Sequence, residues 1–190
     1  MTEVQAIRFE DDGETPNNPR LPLLVYRAAF ALEREKDPAV PFERAFAGHG
    51  WGDGWRNGIY PFLHFHTGTH EVLGIARGHA TVEFGGAKGR ALGVEAGDVV
   101  VLPAGTGHRR IDASGDLLVV GAYPLNGSLD QKRPGEIAHA KAITNVANVP
   151  LPEMDPVHGK SGPLMELWKV AALLEARHGV ARSQHQLNPR

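Results

Sequence analysis

The stretch Gly58-Ile59-Tyr60-Pro61-Phe62-Leu63-His64-Phe65-His66-Thr67-Gly68-Thr69-His70-Glu71-Val72-Leu73-Gly74-Ile75-Ala76-Arg77-Gly78 concentrates metal-binding side chains within a strand, turn, strand pattern. In an extended strand side chains alternate between faces, so His64 and His66 share a face and can offer two imidazole nitrogens to one ion. The polar turn Thr67-Gly68-Thr69 lets the chain reverse, and Glu71 opens the next strand close to where the histidines point. His70 adjoins Glu71 and competes with it as third donor, but strand parity puts the two on opposite faces. Working outward, the matching stretch is Gly97 to His108. There an apolar strand from Val99 to Leu102 is redirected by Pro103-Ala104-Gly105, and His108 opens the strand that follows as the expected fourth ligand.

Together these stretches resemble the cupin superfamily. Its first motif, G(x5)HxH(x4)E(x6)G, fits Gly58, His64, His66, Glu71 and Gly78. Its second, G(x5)PxG(x2)H(x3)N, fits Gly97, Pro103, Gly105 and His108, with Asp112 in place of the usual asparagine. The segments Pro16-Asn17-Asn18-Pro19, Trp55 to Pro61, His70 to Gly74 and Gly121-Ala122-Tyr123-Pro124 are similar to the YjlB-like bacterial cupins. The resemblance implies an all-β fold, the cupin double-stranded β-helix or jelly-roll barrel, with flanking N-terminal and C-terminal α-helices. It gives a fold and a metal site, and no reaction.

A chain of 190 residues with 42% hydrophobic content can bury one sizeable core. We expect a single domain over residues 1–180 and a mobile tail over 181–190. With 20 basic and 22 acidic residues, net charge −2, nothing carries the electrostatic footprint of a nucleic-acid binder. Cysteine is absent, which excludes thiolate nucleophiles and thiolate metal sites and fits a reducing compartment. No segment reads as a signal peptide or a membrane span. A cytoplasmic protein without membrane or nucleic-acid partners is the expectation.

Along the chain, Val4 to Phe9 alternates as an edge strand, and Asp11 to Pro19 is a turn-rich loop. Leu24, Val25, Ala28, Ala29 and Leu32 recur at helical spacing and predict a helix from Leu21. Asp37 before Pro38 predicts a capped second helix through Ala47. Trp51 to Gly58 reads as a loop whose tryptophans either plug a barrel end or stack on a ligand. Ala80–Phe84 and Arg90–Val94 form a hairpin, and Leu117 to Tyr123 is a strand buried on both faces. In the polar segment 126–156, Ala142 to Val149 reads as a strand. Ser161-Gly162-Pro163 starts a packing helix with the stripe Leu164, Leu167, Trp168, Ala171 and Leu174, ending at His178-Gly179.

Imidazole plus carboxylate suits one divalent transition ion, with Fe, Mn, Ni, Zn and Cu all compatible. Four protein donors leave positions for water, dioxygen or a chelating substrate. By parity Tyr60, Phe62, Leu73 and Ile75 would wall the ion, and Arg77 and Arg110 either anchor an anionic ligand or sit on the surface. His49, His79, His139, His158, His178 and His185 lie in turns and polar segments and read as surface residues. The expected function is a metal-dependent enzyme acting on a small polar metabolite, of oxygenase, isomerase or decarboxylase type. The alternative is a binding or scaffold protein that the metal merely stabilises. If His64 faces inward, Leu63 and Phe65 face outward and need cover, from the N-terminal helices or from the second subunit of a homodimer.

Overall fold

In a computed structural model, residues 4–171 are described, and the expected end of the last helix and the tail lie outside them. Nine strands form two antiparallel sheets. The larger runs in the order β1 (Val4–Ile7), β2 (Leu23–Tyr26), β7 (Val99–Leu102), β4 (Glu71–Arg77), β9 (Leu118–Pro124), β3 (Trp51–Asn57). The smaller is β6 (Arg90–Glu95), β5 (His79–Phe84), β8 (His108–Ala113). Three helices accompany them: α1 (Val40–Gly48), α2 (His139–Ala147) and α3 (163–171).

The four inner strands of the larger sheet, β2, β7, β4 and β9, are buried on both faces, which explains their nearly continuous apolar sequences, whereas the edge strands β1 and β3 are largely exposed. Its alternation sorts residues into two cores. Val72, Ala76, Val99, Val101, Val120 and Ala122 pack outward against Phe42, Phe46, Leu164 and Trp168 of α1 and α3. Leu73, Ile75, Val100, Leu102 and Val119 pack inward against Ala80, Val82, Phe84 and Val94 of the smaller sheet. This sandwich of two antiparallel sheets is the jelly-roll arrangement that the resemblance implies.

The helix expected from Leu21 is instead strand β2. Leu24 and Tyr26 enter the outer core while Leu23 and Val25 enter the inner one. A strand paired on both edges and buried on both faces is apolar at every position, so its run mimics a helical stripe. Ala28, at φ 46°, ends it, and Asp98 pins the turn by accepting from Ala28 N and from Arg27. The second helix exists but starts at Val40. Asp37 accepts from Ala39 N, and its other oxygen takes Arg56.

The loop expected at Trp51–Gly58 is strand β3, paired with β9 across a bulge. Trp51 is buried, its indole donating to the Met154 carbonyl, whereas Trp55 faces a cavity. The strand expected at Ala142–Val149 is helix α2, which buries Ala142 and Val146 at helical spacing. Helix α3 begins at Pro163 as expected and buries Leu164, Trp168 and Ala171, though Leu167 of the stripe is exposed. Asp155 holds this end of the chain: its carboxylate accepts from Tyr26 Oη at 2.6 Å and from the amides of Val157, His158 and Leu164.

Phe65 is 1% exposed, and its cover comes from its own chain, through a two-way backbone bridge to Lys132. The need for a second subunit at this residue therefore disappears.

Candidate metal centre

The first histidine pair does not sit in a regular strand. His64 and Phe65 make isolated bridges, to His108 and Lys132, and His64 N and His108 N each donate to the other's carbonyl. That pairing brings the two sequence stretches together. Glu71 opens β4 on the inner face with Leu73 and Ile75, and His108 opens β8.

Ligating nitrogens of His64, His66 and His108 lie within 4.8 Å of one another, and all three rings are buried. Glu71 Oε2 stands 3.4 Å from His66 Nε2 and 3.3 Å from His108 Nε2, with no hydrogen-bond partner of its own. Each imidazole uses its other nitrogen on a backbone carbonyl: His64 Nδ1 on Phe62, His66 Nδ1 on Asp130, His108 Nδ1 on Thr106. A carbonyl only accepts, so Nδ1 carries the proton in every ring and Nε2 is left as a lone pair. Three lone pairs and a carboxylate thus converge with no hydrogen between them. Leaving such groups unpaired in the interior costs several kcal/mol per charge, on the order given by ion desolvation. A divalent cation satisfies them at once, and imidazole with carboxylate is a donor set such ions accept.

The electrostatics agree. Burial and the neighbouring His108 push His64 down to about 3, so that ring is neutral. At His66 burial pulls down too, but the charge of Glu71, with help from Asp130, raises the ring above its ordinary value. Glu71 is held well below the carboxylate range: burial opposes ionisation, and His66 and His108 overcome it.

His70 does something else. It points to the outer face, packs on Trp168 at 4.7 Å between ring centroids, and accepts from Ala104 N at 2.9 Å through Nδ1. Burial pushes it down to about 3. The parity argument that set it apart from Glu71 therefore matches its placement, and its role is to hold the Pro103–Gly105 turn. Asn17 and Asn18 brace the same loop, Asn17 Oδ1 accepting from Gly107 N and Asn18 Nδ2 donating to the Ala104 carbonyl. Gly105, at φ 88°, passes close enough to the Asn17 carbonyl that a Cβ would lie 2.6 Å from it.

Beside the cluster opens a cavity of about 220 Å³, lined by Trp55, Asn57, Tyr60, Leu73, Tyr123 and Gln131 among others. Tyr60 and Phe62 were expected as inner wall. Because residues 58–63 form no strand, the two rings stack on each other at 4.7 Å; Tyr60, 45% exposed, lines the cavity, and Arg133 covers Phe62. Ile75 belongs to the inner core, and Arg77 and Arg110 lie outside the cavity lining. Arg56 lines it, with its guanidinium held by Glu43 and Asp37. Of the remaining described histidines, His79 and His158 are exposed, while His49 is half-buried against the Pro156 carbonyl and His139 pairs with Asp11.

Sequence reasoning missed Asp130 and Gln131. Besides its carbonyl on His66, Asp130 accepts from Thr67 N, Thr67 Oγ1 and Gly68 N through its carboxylate. It lies more than 60 residues from these partners, so no local spacing could reveal it. Tyr123 had been quoted only as part of a family signature. Burial and the charge of Glu71 raise its phenol above the ordinary range.

With this geometry in view, the chain aligns with the uncharacterized protein YjlB of Bacillus subtilis (strain 168) at 40% identity over 166 residues, 87% of this chain and 97% of that protein. The chain belongs to the YjlB family. No family model matches. Among solved structures, the oxalate decarboxylase of Lactobacillus farciminis, in a formate complex, is 23% identical over 52% of this chain and 34% of its own, with a TM-score of 0.33. A DUF861 family protein from Thermotoga maritima is 22% identical over 49% of this chain and 91% of its own, with a TM-score of 0.29. The chain thus spans about a third of the decarboxylase. Among the described residues of this YjlB relative, no helix is long and apolar enough to cross a membrane.

Proposed function

We propose that this protein is a metal-dependent enzyme acting on a small polar metabolite, with His64, His66, Glu71 and His108 holding one divalent transition ion. The convergence of three unprotonated Nε2 atoms and the unpartnered Glu71 carboxylate carries the reading. When bound, the ion supplies Lewis-acid polarisation of a coordinated oxygen, the chemistry that oxygenase, isomerase and decarboxylase types share. The Phe62, Asp130 and Thr106 carbonyls fix the tautomers and so keep the Nε2 atoms free. Leu73 and the Trp55 ring give the cavity part of its apolar lining. An ion serving only to brace the fold is usually closed off by its protein ligands. Here the cluster borders a cavity, which favours turnover over a scaffold role.

The test is metal analysis of the purified protein and of three variants. One divalent ion per chain is expected, with sharp loss in His66→Ala, His108→Ala and Glu71→Gln while circular dichroism stays that of a β-protein. Full occupancy in both histidine variants would show the site to be misassigned. Metal-dependent change in a pool of metabolites, followed by mass spectrometry, then separates an enzyme from a binding protein. We also propose a cytoplasmic homodimer with no nucleic-acid or membrane partner. Light scattering at micromolar concentration tests the assembly, and a single-chain mass would exclude a stable dimer.

A further inference from the structure

By its place in β3, Trp55 should not face the cavity. Trp51 packs into the outer core, and residues an even number apart share a face, so Trp55 would follow it outward. One extra residue reverses this. Pairing passes from Gly52↔Tyr123 to Trp55↔Gly121, three steps on β3 against two on β9, with Asp53 at φ 49°. Such a bulge re-aims the side chains beyond it. Trp55 then lies over Gly121, where a Cβ would sit 2.1 Å from two atoms of the indole. Only glycine leaves room for the ring, and the ring is thereby delivered to Tyr123, the next inner-face residue of β9.

There Trp55 Nε1 donates to Tyr123 Oη at 3.0 Å. With an incoming donor fixing its oxygen, the phenol keeps its own proton to give. The hydrogen bond that Tyr123 Oη makes is the one from Trp55. Burial and the nearby Glu71 carboxylate raise the phenol above its ordinary range, and that carboxylate is the acceptor with which a ligand would compete for the phenolic proton. Tyr123 and Glu71 both line the cavity, together with Asn57, whose Oδ1 accepts from Gly58 N and whose amide N–H groups remain to donate. Glu71 is the one carboxylate in the lining, and it belongs to the metal cluster. The wall beyond the cluster therefore offers donors and no anion.

We propose that Tyr123, positioned by Trp55, donates a hydrogen bond to an anionic oxygen of the ligand, and that the substrate class is small oxyanions such as carboxylates, enolates or hydroxamates. This rests on the metal-centre reading given above. Trp55 is a positioning residue: it acts through the phenol.

The experiment uses metal-loaded protein and acetohydroxamate, a small chelating oxyanion, titrated by calorimetry, with metal affinity measured separately on each variant. Tyr123→Phe should bind acetohydroxamate about 10- to 100-fold more weakly, the range for a hydrogen bond to a charged group, while metal affinity changes by less than about twofold. Trp55→Phe should weaken the probe less, and should cost nothing further when Tyr123 is already phenylalanine, because residues acting as a unit are not additive. Methylammonium should not bind the native protein. Unchanged acetohydroxamate affinity in Tyr123→Phe overturns the proposal alone, leaving the metal centre standing. A parallel loss of metal affinity overturns it too, since the phenol would then be serving Glu71. A native protein that holds no metal overturns the metal-centre reading and this inference with it.

Discussion

His70→Gln should remove a large part of the protein's sensitivity to acid without touching its metal site. Ala104 N donates to Nδ1 of His70, so protonating that nitrogen breaks the bond and places a charge in a fully buried pocket against Trp168. The ring titrates at about 3 in the folded chain and near 6.5 when unfolded. A depressed folded value means that the unfolded state binds the proton more readily, so the stability is complete above about pH 6.5 and is lost as pH falls towards about 3. At pH 4.5 the gap of about two units corresponds to about 2.7 kcal/mol lost through this residue alone. Glutamine can still accept from Ala104 N and cannot be protonated. Urea unfolding, followed by tryptophan fluorescence with a chelator present, should show the native protein losing about 2 to 3 kcal/mol more than His70→Gln between pH 7 and pH 4.5. Acid effects on the metal-site groups are common to both proteins and cancel. An equal loss in the two would refute the account, and loss of metal from His70→Gln would instead restore His70 as a ligand.

Three further outcomes follow from the packing and the site. Tyr26→Phe removes the donor to Asp155 and should lower unfolding stability by about 1.5 to 3 kcal/mol with metal content unchanged; unaltered urea midpoints would count against the Asp155 hub. Gly74→Ala would place a Cβ 2.3 Å from the Phe42 ring, where β4 meets α1, and should cost about 1 to 3 kcal/mol in the same assay. Stripping metal with a chelator should lower the melting temperature in native protein and not in His66→Ala; at a metal concentration a thousand times Kd the native gain is about 4 kcal/mol, and its absence would contradict the site.

The parts of this molecule legible in the sequence are those whose signal is local. His64, His66 and Glu71 sit around one turn, and the alternation of β4 separates Glu71 from His70 without any other strand being known. The hairpin of β5 and β6 was readable for the same reason, since its glycines fall between two short apolar runs. Strand β2 was misread because its partners, β1 and β7, decide its state. Four consecutive buried residues match a strand covered on both faces and a helical stripe equally well. Helix α2 failed in the opposite direction: a short β-rich run in a polar segment says nothing of the sheet surface that would have to receive it.

The cavity wall lies further beyond sequence reading, because it depends on one inserted residue. Without the bulge, parity assigns Trp51 and Trp55 to the same face, and the choice between plugging a barrel end and meeting a ligand must be made for both together. With it, one indole is spent on the Met154 carbonyl and the other on a phenol beside the metal cluster. Asp130 shows the same dependence on chain folding, reaching His66 from a segment that carries no motif. The four candidate donors follow from spacing, whereas the groups that orient their rings and border the cavity come from residues far off in the chain. Under the proposed function, substrate preference is therefore to be sought in β3, β9 and the segment around Asp130, where variants would alter specificity while the four candidate donors stay as they are.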